Sequence, residues 1–384
     1  MNPKDVVYNR RNDLDWLRVL GVLTVFFYHS AHFFDPGEWS VKNPVTYDSV
    51  GQIMAVFAQW MMPLMFVISG ASVYYASRKT GAGEFARDKV MRLLVPLIVG
   101  VFTFSIIQVY VERVSHNQFV GSFFDFLPHY FEGVYLPGSA GNFAFHGMHL
   151  WYLMFLFIYT ILLMPLFWWF KGNTGGRVLR RLGDLLALPG AIMLLAVPTI
   201  VLQNLENAGA LGNGISLGGW QPLEYVWFFL GGYVLVSHER LQARIVQARW
   251  VCLGVTVALV ALSFALGQTP DRHPDVLVWP LMGALLGFAA KYLTGRNRLL
   301  AYASDAVLPF YILHQNALLW IGFFVVAWPV PDIVKYLIIT SSSFAASLLA
   351  YEYLVRRSDV LRIAFGLKPV RRAPAPSVIL PETV

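Results

Sequence analysis

The chain has 384 residues, of which 57% are hydrophobic and 13% are charged, and its formal net charge is +7. Soluble domains carry about 25% charged residues, so this composition excludes an ordinary soluble protein and indicates a membrane protein. In a membrane protein an excess of basic residues is explained first by the lysines and arginines of the cytoplasmic loops. The positive charge therefore does not indicate a nucleic-acid partner, and we expect none. The single cysteine, Cys252, lies in an apolar run, which excludes an intramolecular disulfide and a cysteine-rich metal site.

Ten apolar segments of about 17 to 27 residues are long enough to cross a hydrocarbon core of about 30 Å. The first is longer than the apolar region of a signal peptide, about 7 to 15 residues, and we expect it to stay as a transmembrane helix. The sequence therefore predicts an all-α, polytopic membrane bundle of about ten transmembrane helices. The ten segments are 14–34, 50–76, 90–111, 149–170, 185–204, 222–238, 249–267, 275–293, 303–328 and 332–356.

The loops between these segments differ strongly in charge. With ten spans, 25 of the 29 lysines and arginines fall on the side of the two termini, and the exceptions are Lys42, Arg113, Arg272 and Lys335. This asymmetry predicts a multi-pass membrane protein with cytoplasmic termini. We expect a cytoplasmic tail over residues 1–13, a transmembrane domain over 14–363 and a disordered cytoplasmic tail over 364–384.

The first span contains two ionisable residues in an otherwise apolar stretch, Arg18 and His29. Their spacing of eleven residues is about three helical turns, so both side chains leave one face of the helix, roughly 16 Å apart along its axis. Such groups cost about 2.5 to 3.5 kcal/mol each on insertion scales and usually face a bundle interior or a cavity. The alternatives are that Arg18 reaches the interface and that His29 only bonds a neighbouring helix.

The ninth span places His314 about eleven residues from its cytoplasmic start, a depth similar to that of His29. Two imidazoles and an arginine at related depths, roughly mid-membrane, predict a shared polar centre. In the tenth span, Glu352 precedes Arg356 by four residues, which is typical of an ion pair on one helix. Pairing of Glu352 with Arg18 or with Arg92 of the third span is the other interpretation.

Three further groups are candidates. Lys89 and Arg92 lie three residues apart and could hold a phosphorylated ligand at the cytoplasmic end of the third span. The alternative is that they only belong to the excess of basic residues found on the cytoplasmic side of membrane proteins. The fourth span begins HLWYL, in which His149 either belongs to a site or anchors the helix at the interface. In MFVISG, Ser69 and Gly70 are small residues that favour close helix packing.

Two outer loops are long, 112–147, which is rich in Phe, Tyr and Gly, and the glycine-rich 206–221. Loops of this length are often lids or binding loops, and the alternative is a segment lying in the interface. His29 and His32, three residues apart, could face one ion. Because no carboxylates accompany them on inner helix faces, we expect no metal.

These motifs, taken in order, resemble membrane-bound acyltransferase family 3. The family's hallmark is an arginine, ten residues and a histidine in the first span, here Arg18 to His29. Further matches are MFVISG with Ser69, the basic pair Lys89 and Arg92, HLWYL, FYILHQ with His314, and AYEYLVR with Glu352. The resemblance covers nearly the whole chain. Where the family has two arginines, this sequence has a lysine and an arginine. The positive charge is kept, but a lysine cannot bond a phosphate group through two N–H groups as an arginine does.

The resemblance implies O-acylation of an extracytoplasmic glycan or glycolipid, with the acyl group, acetyl or succinyl, coming from cytoplasmic acyl-CoA as a co-substrate and no tightly bound cofactor. We expect His29 to act as general base or transient acyl carrier, with His314 orienting it or polarising the thioester carbonyl. The residues expected to bind the donor are Arg18, Lys89, Arg92 and Arg78. The residues expected to bind the acceptor are His149, Trp151 and Tyr152, with Ser69 and Glu352 in supporting roles.

Two other functional classes are open at this point. A glycan or lipid-linked-sugar transporter would also line a path with buried charges, but the chain has no inverted repeat or paired interrupted spans. A non-catalytic membrane scaffold would leave Arg18, His29 and His314 without a purpose. A homodimer is an open alternative to a monomer.

Overall fold

A computed structural model describes residues 11–136, 139–208, 221–266 and 274–370. The predictions for residues 1–10, for 209–220 of the glycine-rich loop, for Arg272 and for the tail from residue 371 lie outside these ranges. Within them the chain is all-helical, with one isolated β-bridge between Val134 and Phe143. The helices are α1 Asn12–Ala31, α2 Asp48–Lys79, α3 Ala82–Ser115, α4 Trp151–Leu162, α5 Met164–Lys171, α6 Asn173–Leu186, α7 Ala196–Asn207, α8 Pro222–Leu235, α9 Glu239–Ala265, α10 Pro274–Tyr292, α11 Arg298–Val325, α12 Asp332–Val355 and α13 Asp359–Ala364.

The predicted all-α membrane architecture is confirmed, but the count of ten spans is not. Among the described helices, α2, α3, α9, α11 and α12 are long and apolar enough to cross a membrane, and α4 with α5 makes a sixth if this pair, bent by 47°, is one span. The predicted spans 185–204 and 222–238 correspond in part to α7 and α8, which have only 12 and 14 residues. At 1.5 Å per residue, 14 residues extend about 21 Å, less than a hydrocarbon core.

The helix α1 lies in the middle of the bundle, where it packs against α2, α10, α11 and α12. We call the end of the bundle where α1 begins the termini side, and the end where it finishes the loop side. His29 lies in the last turn of α1, nearer the loop side than the sequence predicted, because the helix ends at Ala31. The chain then turns towards Pro36, and the residue before a proline disfavours helical geometry.

Two π-helical turns interrupt long helices on the termini side. In α3 the turn Val90–Leu94 contains Arg92 and is closed by a bond from the Val95 N–H to the Val90 carbonyl. Pro96 lacks the N–H that an α-helix would donate to the Arg92 carbonyl, and the wider turn accommodates this loss. In α12 the turn Tyr351–Val355 contains Glu352. Such turns frequently mark functional sites, and both of these contain motif residues.

Small residues allow α2 and α8 to cross in close contact. A Cβ atom on Gly70 would collide with the backbone carbonyl of Phe229, and one on Gly232 would collide with the carbonyl of Val67. Since only glycine lacks a Cβ, the two backbones can approach this closely only with these residues. The contact fixes α2, which carries Ser69 and Ser72, relative to the rest of the bundle.

We expect Gly70→Ala to destabilise the protein by about 1 to 3 kcal/mol, because the added methyl group meets backbone that cannot rotate away. The measurement is the apparent Tm of the purified protein in detergent. The matched control is Gly254→Ala in α9, where nothing lies within 4 Å of the added carbon, and where alanine's higher helix propensity should leave the Tm unchanged or raise it. Equal melting of Gly70→Ala and wild type would contradict the close crossing.

Candidate active site

The centre of the site is a pair of histidines contributed by α1 and α11. The Nδ1 atom of His29 lies 3.2 Å from the Nε2 atom of His314. The two rings are nearly parallel, with 10° between their planes and 5.4 Å between their centroids. His314 is completely buried, and its ring stacks on Phe310. The fold thus joins two imidazoles that are 285 positions apart in the sequence.

The backbone carbonyl of Tyr311 determines which nitrogen of each ring carries the proton. The Nδ1 atom of His314 lies 2.7 Å from this oxygen, and because a carbonyl can only accept, Nδ1 must be the donor. In the neutral ring Nε2 is then an acceptor, so His29 donates to it from Nδ1. The lone pair of His29 is therefore on Nε2. Serine-protease triads hold their histidine in the same way for proton transfer.

A third imidazole, that of His149, packs edge-on against His314 with 5.4 Å between the ring centroids. Its Nε2 donates to the carbonyls of Tyr311 and Ile312 at 3.1 and 3.2 Å. Its Nδ1 therefore accepts, and the side-chain amide nitrogen of Gln108 lies 3.0 Å from it. The Tyr311 hydroxyl donates in turn to the His149 carbonyl. These bonds occupy both ring nitrogens of His149.

A cavity of about 800 Å³ opens on the loop side and reaches His29. The predicted acceptor residues His149 and Trp151 line it, whereas Tyr152 does not. The Tyr152 hydroxyl lies 2.6 Å from the Ser69 hydroxyl oxygen, because successive helical residues point about 100° apart. Polar and aromatic residues in the wall include Trp39, Gln108, Glu112, His116 and Gln315.

The segment that follows α1 forms the mouth of this cavity. The Trp39 ring lies nearly parallel to that of His29, at 19° and with 6.0 Å between centroids. Asp35 holds the segment by accepting hydrogen bonds of 2.6 Å from both His32 and Lys42. Burial alone would raise the pKa of Asp35, but these two bonds outweigh it and the pKa lies below its ordinary value. Asp35 therefore stays ionised and keeps Trp39 in place.

The long segment 112–147 covers the loop side of the cavity and has a small apolar core of its own. The Glu112 carboxylate accepts bonds of 2.9 Å from the hydroxyls of Ser40 and Tyr135. Burial beside this carboxylate raises the pKa of Tyr135. Arg113 is buried and donates to Gln118, Asn142 and the carbonyls of residues 139 and 141. The segment therefore lines a cavity, as expected of a binding loop.

The predicted donor residues on the termini side are only partly brought together. Arg18 bonds Asp15 at 3.0 Å and the Ser72 hydroxyl at 2.7 Å. The ammonium group of Lys89 lies 3.6 Å from the Asp88 carboxylate, and the charges of Arg92 and Arg18 are also close enough to act on it. Arg78 instead stacks on the ring of Tyr74, with 4.4 Å between the guanidinium carbon and the ring centroid.

The structure tests two expectations for charged residues. The interpretation of Glu352 and Arg356 as an ion pair on one helix is confirmed, at 2.8 Å, and pairing of Glu352 with Arg18 or Arg92 is not seen, because α12 presents positions four apart on one face. The prediction of one polar centre for Arg18, His29 and His314 is confirmed only for the two histidines, and Arg18 is not among the described residues that line the cavity reaching His29. The bonds to Asp15 and Ser72 hold the guanidinium group on the termini side instead.

The imidazoles of the site are arranged for hydrogen bonding within the protein. His29 pairs with His314, while His32, one turn further on, pairs with Asp35. Among the described residues, no three His, Cys, Asp or Glu side chains are grouped so that they could hold a metal ion.

Comparison with known proteins gives one family. The model of the acyltransferase domain of family 3 matches residues 11–352, nearly the whole chain. The chain belongs to this acyltransferase family. The acyltransferase is also 21% identical over 383 residues to glucans biosynthesis protein C of Salmonella paratyphi A and of Salmonella agona, covering 92% of this chain and 93% of each relative. The same protein of Salmonella typhimurium is 20% identical over 386 residues, covering 93% and 94%. No solved structure matches it.

The sequence resemblance to this family, and to its glucans biosynthesis protein C branch, is therefore confirmed, and the protein is a membrane acyltransferase. Sequence reasoning did not single out three cavity residues, Trp39, Gln108 and Gln315. The signal for Gln108 was a polar residue in the apolar run of α3, and Gln315 directly follows His314 in FYILHQ. Trp39 had no such signal, since it lies in an irregular loop.

We expect the acyltransferase to lose stability as the pH falls from about 6.5 to about 4. His146 lies in the segment 112–147, and burial lowers its pKa to about 4. In the unfolded chain the same group binds its proton near pH 6.5. Protonation of Nδ1 would break the bond that it accepts from the Met148 N–H at 2.9 Å. The difference corresponds to a loss on the order of 3 kcal/mol.

The measurement is the apparent Tm across this pH range for wild type and for His146→Gln. The variant lacks the titrating group, so its Tm should fall less between pH 6.5 and pH 4. Parallel pH profiles for the two proteins would show that His146 does not contribute.

Proposed function

We propose that this membrane acyltransferase transfers an acetyl or succinyl group from acyl-CoA on the termini side to a hydroxyl group of a glycan or glycolipid on the loop side. This assigns the termini to the cytoplasm and the protein to the bacterial inner membrane, in line with the charge asymmetry of the loops. The observation that carries the proposal is the His29–His314 pair, of which His29 lines a cavity of about 800 Å³.

In this proposal His29 removes the proton from the acceptor hydroxyl through Nε2. The acceptor oxygen forms a bond to the acyl carbon, the carbon–sulfur bond of the thioester breaks, and His29 returns the proton to the departing thiolate of CoA. His314 accepts the hydrogen bond from Nδ1 of His29 and so holds the ring in the required tautomer. A route through a transient acyl-histidine would use the same Nε2 lone pair.

The donor is assigned to the cationic group Arg18, Lys89 and Arg92. Phosphate groups such as those of coenzyme A would bond this group in addition to Asp15 and Asp88, which already pair with Arg18 and Lys89. Arg18 and His29 are about 16 Å apart along α1. The pantetheine arm of coenzyme A is long enough for that separation, and the proposal requires a path for it along α1, because Arg18 does not line the cavity that reaches His29.

The acceptor is assigned to the cavity on the loop side. Trp39 and Trp151 offer aromatic surfaces to the apolar faces of sugar rings, and Glu112 and Gln108 offer groups that bond hydroxyls. The relatives named for glucan biosynthesis make a glucan the first acceptor to test.

We expect His29→Ala to abolish acyl transfer while the protein inserts and purifies normally, because the variant lacks the base and keeps the helix. The assay follows transfer from acetyl-CoA or succinyl-CoA to a soluble glucan oligosaccharide in proteoliposomes. The control is His129→Ala, since His129 is exposed and pairs only locally with Glu132. Undiminished transfer by His29→Ala would remove this residue from the mechanism.

For Arg18→Lys we expect donor affinity to fall roughly 10- to 100-fold, because a point charge cannot bond Asp15, Ser72 and a ligand in the directions a planar guanidinium does. The measurement is the KM for acyl-CoA, with Arg87→Lys, an exposed residue on the same side, as the matched control. Wild-type donor affinity in Arg18→Lys would contradict the assignment.

The experiment that tests the function as a whole is mass spectrometry of envelope glycans from cells with and without the gene. Loss of acetyl or succinyl mass in the deletion strain is expected, and identical glycans would contradict an acyltransferase of envelope glycans. A second test is thermal stabilisation of the purified protein by CoA, which preferential binding to the folded state predicts for this enzyme and not for a glycan carrier.

A further inference from the structure

The side chain of Gln315 is a buried amide with unused hydrogen-bonding capacity at the inner end of the cavity. It follows His314 on α11, is only 5% exposed and lines the same cavity as His29. Within the described part of the chain its Oε1 atom is buried and has no hydrogen-bond partner. No protein group in this part of the chain bonds its NH₂ group either, which leaves that group available from the cavity.

Three polar side chains at or near the wall of this cavity are already occupied. His314 donates from Nδ1 to the Tyr311 carbonyl, and His149 donates from Nε2 to two backbone carbonyls. The amide of Gln108 is directed at Nδ1 of His149. Gln315, by contrast, is an amide in the cavity wall whose hydrogen-bonding groups the described part of the protein does not use.

An unpaired buried amide is costly to a folded protein. Leaving such a group unsatisfied costs about 1 to 3 kcal/mol relative to a paired or apolar side chain. Buried polar groups of native proteins are overwhelmingly hydrogen-bonded. Several buried atoms of this protein lack a partner, and that of Gln315 belongs to a side chain that lines the cavity reaching His29, where a ligand can bond it.

We propose that Gln315 donates a hydrogen bond from its NH₂ group to the acyl carbonyl oxygen during transfer. The inference rests on the proposed function and adds a catalytic residue to it. When the acceptor oxygen attacks, the electron pair of the carbonyl double bond moves onto the acyl oxygen, which becomes an oxyanion. The pair returns when the carbon–sulfur bond breaks and the thiolate leaves with the proton held by His29. A donor placed beforehand stabilises the charge at the moment it develops.

The neighbouring residue, Asn316, provides a matched control. It is likewise buried, at 8% exposure, and its Oδ1 has no partner within the described part of the chain. It faces the other way, into a hollow lined by Ile107 and Trp320. Asn316 therefore shares the residue class, burial and helix of Gln315 but not the cavity of His29.

The test is Gln315→Met, which keeps the length of the side chain and removes both N–H donors. We expect kcat for transfer from succinyl-CoA or acetyl-CoA to a soluble glucan oligosaccharide to fall about 100-fold or more, the usual loss for one oxyanion donor. The KM values for donor and acceptor should stay unchanged. The apparent Tm should be equal to that of wild type or higher, because an unsatisfied buried amide has been replaced by an apolar group.

Asn316→Leu should keep the wild-type kcat. Gln315→Leu, which also removes both N–H donors and adds no ionisable group, should lose as much activity as Gln315→Met, and it replaces that variant if the methionine protein does not fold. A wild-type kcat in Gln315→Met overturns the proposal. So does a change confined to the acceptor KM, or a drop in Tm with kcat unchanged.

The two levels of inference fail in different ways. If wild-type protein transfers no acyl group under these conditions, the proposed function itself fails. If wild type is active, His29→Ala is inactive and Gln315→Met is fully active, the proposed function stands and only the role of Gln315 is rejected.

Discussion

The hydrogen bond between His29 and His314 is the interaction on which the interpretation of this protein depends. Its direction is set by a backbone carbonyl, that of Tyr311, which can only accept and therefore fixes the proton on Nδ1 of His314. Because a carbonyl within a helix is held by the helix itself, α11 determines the tautomer of a residue on α1. The Nε2 lone pair of His29 is thus a consequence of how two helices pack.

The rest of the bundle keeps these two helices in register. Helix α1 is surrounded by α2, α10, α11 and α12, so its polar residues can only be accommodated where a neighbour offers a partner. Ser72 of α2 provides one for Arg18, and His314 provides one for His29. The glycine-mediated crossing of α2 and α8 keeps the first of these partners in position.

Charges are used differently at the two ends of the molecule. On the loop side each described cation is held by several protein groups: Lys42 by Asp35 and a carbonyl, Arg113 by the covering segment, and Lys335 by Asn43, Asp332 and a carbonyl. On the termini side Arg18 pairs with Asp15 and Lys89 with Asp88, and Arg92 adds a third positive charge close to them. Cations of the first kind stabilise loops, whereas several cations close together are suited to an anionic ligand.

The amino-acid sequence by itself determined the membrane class, the all-helical architecture, the family and the presence of Arg18 and His29 on one helix. Composition and helical periodicity are local properties, so they can be read without a fold. The sequence could not show which spans are full length or which of two partners Glu352 bonds. It also could not show that Tyr152 turns towards Ser69 or that Trp39 lies over His29. Those outcomes depend on contacts between residues far apart in the chain. Only the tertiary structure, by closing α1 against α11 and the loop segments, brought two histidines, a cavity and a buried amide together.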